Sequence, residues 1–298
     1  IAPALEAGHR VPPSERPADI CAETAPRPPD GAVAGWVQGR SEFGPRALGN
    51  RSIVADPRPA ANKDRVNLMV KKREAYRPFA PWVMAEHGGA WFELPSYIQR
   101  FGYMNFAVPV RSGRRELLQA TTHVDGSSRV QVVYEDVNPR YWRLIDAFYR
   151  LTGVPVLLNT SFNTNAEPMV DTVDDAIQCF LTTGLDLLVI DDVLVTKREP
   201  VAVEPWMVVS QPRTTQLVRG GLDAEGQYLL RRTVSDSRPM PISAEAYQLL
   251  SRSDGRLRID GALAGARLDP GLARELFELW QQRLIRIDPP AAGAPDVG

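Results

Sequence analysis

The sequence predicts an α/β fold, a mixed sheet with flanking helices, followed by a small α+β unit. Three observations predict it. Apolar runs of strand length alternate with amphipathic helical stretches through the first two thirds of the chain. The alternation breaks around Glu204 to Pro212. At 298 residues the chain has the length of two domains of about 100 to 200 residues, each able to bury a core.

Seven prolines fall in the first thirty residues, so 1–17 reads as a linker, with a short helix around Asp19 to Ala25. "AVAGWVQ" (32–38) is a strand that delivers the chain into "GRSEFGPRALGNRS" (39–52). Val66, Met69 and Val70 place a helix face over 62–70, which ends at "KKREAYRP" (71–78). "FAPWVMA", "MNFAVPV" and "VQVVY" read as strands. Residues 141–151 form a helix whose aromatics, Trp142 among them, belong to the core, with Gly153 as its C-terminal cap. "VPVLLNT" (154–160) is a continuous apolar strand leading into "SFNTNAEP"; a capping box of Thr172 and Asp175 then starts a helix that Gly184 ends. "DLLVIDDVLVT" returns as one or two strands, closing a domain over 18–204. After a linker at 205–213, residues 214–298 offer two short strands, helices at 244–250 and 270–284 and a closing strand "RLIRID". Asp269 and Pro270 give the last helix its start, and the unit is compatible with a winged-helix module.

The formal charge of −1 conceals an uneven distribution. Residues 40–77 hold ten Lys or Arg against four acids, whereas 165–204 hold nine acids against two bases. Cation concentrated on one element favours a compact anionic ligand over a long polyanion. Two cysteines give no disulfide framework and suit a reducing cytoplasm, and three scattered histidines lack zinc-site spacing. No apolar run is long enough for a bilayer. Because the chain begins at Ile1, it is expected to be a piece of something longer or a processed form.

Four loops carry groups suited to oxyanions. "GPRALGNRS" offers Arg46, Arg51 and Ser52, with glycines that allow close backbone approach; "KKREAYRP" offers Lys71, Arg73 and Arg77. "NTSFN" offers Asn159, Thr160, Ser161 and Asn163, and "HVDGSSR" offers His123, Asp125 and Arg129. If Arg46, Lys71, Arg77 and Arg129 converge, their mutual repulsion, roughly 4 kcal/mol per close pair at an effective dielectric near 20, is offset only when a multiply charged anion arrives. Guanidinium suits that task through its bidentate fork. Blander readings stay open: Arg73 beside Glu74 also fits a solvated helix end, "NTSFN" fits turn chemistry, and His123 fits a hydrogen-bonded structural histidine. No Walker loop or dinucleotide fingerprint is present.

The stretches "GWVQGRSEFGPRALGNRSIVADPR", "NLMVKKREAYRPFAP", "HVDGSSRVQVV" and "GVPVLLNTSFNTNAEPMVDTVDDAIQCFLTTGLDLLVIDD" resemble the C-terminal half of the NodU/CmcH-type O-carbamoyltransferases, over roughly 18–198. That resemblance implies a YrdC-like twisted sheet around a large cleft, with the Lys-x-Arg of Lys71 and Arg73 and the Ser-x-Asn of Ser161 and Asn163 as supporting patterns. It implies that the domain takes carbamoyl phosphate and ATP to carbamoyl adenylate, with magnesium on the nucleotide phosphates. Arg46, Lys71, Arg77 and Arg129 would then be catalytic. Asn159 and Ser161 would bind the carbamoyl group, with Thr160, Arg51, Ser52, Arg73, Asn163 and His123 as further contacts. The family's metal-binding acceptor domain would be supplied in cis or by a separate chain. Threonylcarbamoyl-adenylate synthesis and a non-catalytic module binding nucleic acid or a partner are the competing readings. For the basic residues of the C-terminal unit a solvated face is favoured over nucleic acid, and no membrane partner is expected.

Overall fold

The computed structural model describes residues 14–25, 31–44, 46–98, 100–165, 167–197, 202–220, 228–233 and 238–288. Those at 14–197 and those at 202–288 fall in separate compact units.

In the first unit the strands are β1 (Ser14–Glu15), β2 (Ala34–Val37), β3 (Arg51–Ala55), β4 (Ala80–Met84), β5 (Val108–Pro109), β6 (Ser127–Ser128), β7 (Gln131–Val133), β8 (Val156–Ser161), β9 (Leu187–Ile190) and β10 (Val193–Thr196). Eight of them make one sheet in the order β1-β10-β9-β2-β3-β8-β4-β7. It is mixed, parallel at β2–β9 and β4–β7 and antiparallel elsewhere. The expected α/β architecture is therefore present. β4 and the apolar part of β8 are buried along their length, which is why they read as continuous apolar runs rather than alternating ones; β3 is equally buried although it opens with Arg51 and Ser52.

Helices α1 (Ile20–Thr24) and α4 (Pro139–Thr152) contribute to one core cluster with Trp36 and Trp82. A second cluster gathers Ile53, Leu158 and Phe162 with the helical stretch from α2 (Ala60–Arg65) through Val70, and with α5 (Val173–Leu181). A short α3 (Gly88–Trp91) lies between these in sequence. Local signals set the ends: Asn138 caps α4, Gly153 closes it at φ 72°, and Thr172 with Asp175 forms the expected capping box on α5.

Some expectations change. "RSIVA" is a strand, β3, so Arg51 and Ser52 stand in the sheet and not in the loop. "MNFAVPV" shrinks to the two residues of β5. The 62–70 helix starts at Ala60 and widens into a π-turn over Val66–Val70, closed by the bond from Lys71 N to Val66 O at 2.8 Å. Widening takes Met69 off the buried face, leaving it 53% exposed while Asn67 is fully buried. Trp142 is half-buried, its indole donating to Glu86, and its neighbour Tyr141 is the fully buried aromatic. Within the stretch read as linker, Ser14–Glu15 pairs with β10 as an edge strand; residues 1–13 lie outside the described residues.

The second unit holds β11 (Val208–Ser210), β12 (Thr215–Arg219), β13 (Tyr228–Arg232), β14 (Met240–Ile242) and β15 (Arg286–Asp288), with helices α6 (Ala244–Arg252), α7 (Ile259–Ala262) and α8 (Pro270–Gln281). β12-β13-β14 form one sheet and β11-β15 another, so the 205–213 segment read as linker contributes a paired strand. Leu230, Leu249, Leu276 and Trp280 are in its buried interior. Among the described residues no helix is long and apolar enough to cross a membrane.

Candidate active site

The loop from Gln38 to Arg51 carries two ions that bond to its own backbone. The Arg51 guanidinium is 6% exposed and donates to the carbonyl oxygens of Gln38 (3.0 Å), Asn50 (2.9 Å), Gly39 (3.3 Å), Arg40 (3.5 Å) and Asp171 (3.2 Å). The Glu42 carboxylate does the complementary work, accepting from the amides of Leu48 (2.6 Å), Asn50 (3.1 Å) and Arg51 (3.1 Å). Burial pushes the Glu42 carboxyl up from its ordinary pKa, against those three amides and Arg51, which pull it down. Gly49 has φ 104°, and a Cβ there would lie 2.6 Å from Asn138 Nδ2 and 3.2 Å from Trp82 and Tyr141. This glycine serves close packing under the loop.

The second loop is organised by Asn67, buried on the π-turn. Its Nδ2 donates to the carbonyls of Ala75 (3.1 Å) and Arg77 (2.9 Å), and its Oδ1 accepts from Arg73 Nε at 2.7 Å. Arg73 also lies over the Phe79 ring, 5.1 Å from its centroid. Arg77 is more than half exposed, 3.5 Å from an equally exposed Glu74.

The end of β8 supplies the neutral groups. Asn159 is 2% exposed; its Nδ2 donates to Ala47 O at 3.2 Å and its Oδ1 accepts from the buried Tyr141 hydroxyl at 3.4 Å. Because a carbonyl only accepts, the Ala47 contact fixes which way this amide faces. Lys71, 3% exposed, donates to Ser161 O (2.5 Å), Ser161 Oγ (3.0 Å) and Asn163 Oδ1 (2.6 Å). Burial, helped by Arg73, lowers the Lys71 ammonium to a pKa of about 7.

These loops enclose a cavity of about 340 Å³. Arg46, Arg73, Arg77 and Arg129 line it, together with Asn159, Thr160 and Ser161. Its apolar wall includes Phe79 and Met104, and among the described residues no carboxylate lines it. Arg46 and Arg129 have no hydrogen bond or ion pair to a described residue. Burial lowers the pKa of Arg129, with Arg46 acting in the same direction; burial also lowers that of Arg73, with Arg77 and Arg129 adding to it and Glu74 opposing. The four cations thus repel one another across a space with no internal counter-anion.

The structure does not bring every expected residue there. Lys71 and Asn163 sit behind Ser161 and do not line the cavity, so Lys71 holds Ser161 where a free phosphate-binding charge was expected. Arg51 is spent on carbonyls, and Ser52 is fully buried in β3. His123 is outside the lining, its Nδ1 3.1 Å from Ser127 Oγ. Glu42, Asn67 and Tyr141, which order the site from beneath, were not among the expected residues.

Residues 28–197 match the sequence family described as Carbamoyltransferase C-terminus. The chain belongs to this carbamoyltransferase C-terminal family. It is 50% identical over 286 residues to nodulation protein NolNO of Sinorhizobium fredii, covering 92% of this chain and 42% of that one. It is 46% identical over 286 residues to nodulation protein NolO of Bradyrhizobium diazoefficiens, covering 92% and 52%. With the 3'-hydroxymethylcephem-O-carbamoyltransferase of Amycolatopsis lactamdurans it shares 43% identity over 166 residues, 54% of this chain and 30% of that one. The chain spans about half the length of the nodulation-protein relatives it matches. As a carbamoyltransferase C-terminal chain it carries a second unit beyond residue 197, where the family match ends, and matches over 92% of the chain take in most of that unit.

Proposed function

We propose that this chain is the carbamoyl-activating part of an O-carbamoyltransferase that modifies the hydroxyl of a small natural product. In this reading water first releases inorganic phosphate from carbamoyl phosphate, leaving carbamate. A carbamate oxygen then attacks the α-phosphorus of ATP, a new P–O bond forms, pyrophosphate leaves, and carbamoyl adenylate results. The observation that carries the reading is the cavity's composition: four guanidinium groups and no carboxylate, in a chain of a carbamoyltransferase family.

Bringing an anionic nucleophile to an anionic phosphate is unfavourable until cations neutralise both and hold them in line. Arg46, Arg77 and Arg129 serve that purpose. Arg73 is the most constrained of the four, held by Asn67 and Phe79, and acts as a fixed charge. The remaining amide N–H of Asn159 supplies a donor to carbamoyl or phosphoryl oxygens, while Ser161, whose hydroxyl accepts from Lys71 and donates to Asn163 Oδ1 at 2.8 Å, lines the wall beside it. Among the described residues no group of three or more His, Cys, Asp or Glu side chains could hold a metal. In this reading magnesium arrives on the nucleotide, and no step is assigned to it. Transfer to the alcohol requires the acceptor domain, in cis or as a partner chain, and the setting is cytoplasmic.

The test is incubation of the chain with ATP, magnesium and carbamoyl phosphate, following pyrophosphate release and carbamoyl adenylate by mass spectrometry. Product that falls at least tenfold in Arg129→Gln supports the reading. No product, or product only when threonine and bicarbonate replace carbamoyl phosphate, overturns it.

A further inference from the structure

Arg46 is presented to the cavity by a segment with little packing of its own. Phe43 is fully exposed, and Gly44 turns at φ 112° with nothing within 4 Å of where a Cβ would stand. Arg46 itself is exposed and has no hydrogen bond to a described residue. What fixes the segment is at its base. Glu42 Oε1 accepts from the amides of Leu48 and Asn50 while Oε2 accepts from that of Arg51, so both carboxylate oxygens are used and the chain is folded back across Arg46. Asn159 and Asn138 add single bonds to the carbonyls of Ala47 and Leu48. An ionised carboxylate is the side chain suited to this place, since it is acceptor-only at both oxygens and its bonds to amides are charge-assisted.

We propose that Glu42 is a positioning residue for anion recognition: by gathering the amides of Leu48, Asn50 and Arg51 it sets the loop that holds Arg46 over the cavity. This rests on the cavity being an anion site, as in the function proposed above. Glu42 does not line the cavity, so its effect on a ligand passes through Arg46. It is the loop's internal anion, as Arg51 is its internal cation; of the loop's two other arginines, Arg40 lies outside the cavity lining and Arg46 is in it. A glutamine in place of Glu42 keeps the shape but turns one oxygen into an amide donor facing a backbone N–H, which breaks one side of the clamp.

The test is a double-mutant cycle with inorganic pyrophosphate as the probe, measured by calorimetry on the full chain. Glu42→Gln is expected to weaken binding about tenfold in the wild-type background and less than twofold when Arg46→Gln is already present. Equal losses in both backgrounds, or no loss, overturn the proposal. Hydrogen exchange at Leu48, Asn50 and Arg51 supplies a readout that does not depend on ligand. Their protection should fall in Glu42→Gln and in the shorter Glu42→Asp, with the amides of α4 unchanged. Unchanged protection at the three loop amides refutes the clamp even if the wild-type chain binds no pyrophosphate, and that latter result taken alone counts against the anion site.

Discussion

Lys71 Nζ stands 3.0 Å from Ser161 Oγ, and every acceptor around it is neutral: the Ser161 hydroxyl and carbonyl and the Asn163 amide oxygen. Burial takes its pKa from an ordinary 10.5 down to about 7. Between those values the unfolded chain holds a proton that the folded chain has released, so the Lys71 contribution makes stability rise as pH rises from about 7 toward 10.5.

An anion bound against Ser161 favours the charged form of Lys71 and raises its pKa again. Near pH 8 the proton balance of pyrophosphate binding should therefore include a fraction of a proton taken up by Lys71, on top of what the ligand's own phosphate groups release. Calorimetry in buffers of different ionisation enthalpy measures the balance, and Lys71→Met should shift it toward release by that fraction. An unchanged balance in Lys71→Met contradicts the expectation.

The empty cavity is electrostatically frustrated, and the frustration has a measurable sign. Replacing Arg129 by glutamine removes a partly buried cation that Arg46 repels, so the unliganded protein should melt at the same temperature or higher. Pyrophosphate affinity should fall about 10- to 100-fold, the range for hydrogen bonds to charged groups. In the wild type, pyrophosphate at a hundred times its dissociation constant should stabilise the fold by about 2.7 kcal/mol. Thermal melts with and without ligand decide both points. An Arg129→Gln protein that melts lower when empty yet gains as much from ligand would contradict them.

Gly44 and Gly49 share a left-handed backbone but differ in surroundings, and alanine should separate them. At Gly44 the added methyl enters open space, so only the backbone conformation resists, about 1 kcal/mol. At Gly49 the methyl also meets Asn138 Nδ2 at 2.6 Å and two aromatic rings at 3.2 Å, and the loss should be about 3 kcal/mol or more. Urea denaturation of the two variants gives the comparison. Equal losses would mean that the loop does not pack on Trp82 and Tyr141 as described.

Much of the framework was legible because it depends on local chemistry. Gly153 ends α4, Thr172 and Asp175 start α5, and the runs in β4 and β8 are apolar because both faces are covered; the start of α4, read at Tyr141, lies two residues earlier behind the Asn138 cap. The site was legible only in outline. Arg46, Arg77 and Arg129 converge on one cavity, but so far as sequence goes Arg51 is the same kind of residue, and its burial is decided by five carbonyls brought from two segments. Lys71 was read as a charge free to hold a phosphate oxygen, because nothing local signals the π-turn that directs it inward onto Ser161 and Asn163. Glu42 was overlooked as background charge in an arginine-rich stretch. Its one signal is its place ahead of a glycine-bounded turn whose amides need acceptors.

Arg46 and Arg51 lie five residues apart in one motif and should show opposite mutational behaviour. Arg46 has no bond to a described residue, so Arg46→Gln should shift stability by less than about 0.5 kcal/mol while reducing pyrophosphate affinity at least tenfold. Arg51→Met fills similar volume but leaves the carbonyls of Gln38, Gly39 and Asp171 without their buried donor, and removes the positive charge opposite Glu42. Each unsatisfied buried acceptor costs about 1 to 3 kcal/mol, so a total loss of at least about 3 kcal/mol is expected. Arg51→Lys keeps the charge with three donors and should fall between. Paired urea titrations and pyrophosphate calorimetry place each variant on both axes. If Arg51→Met stays as stable as the wild type and loses only affinity, the loop is not self-neutralised and Arg51 belongs with the ligand after all.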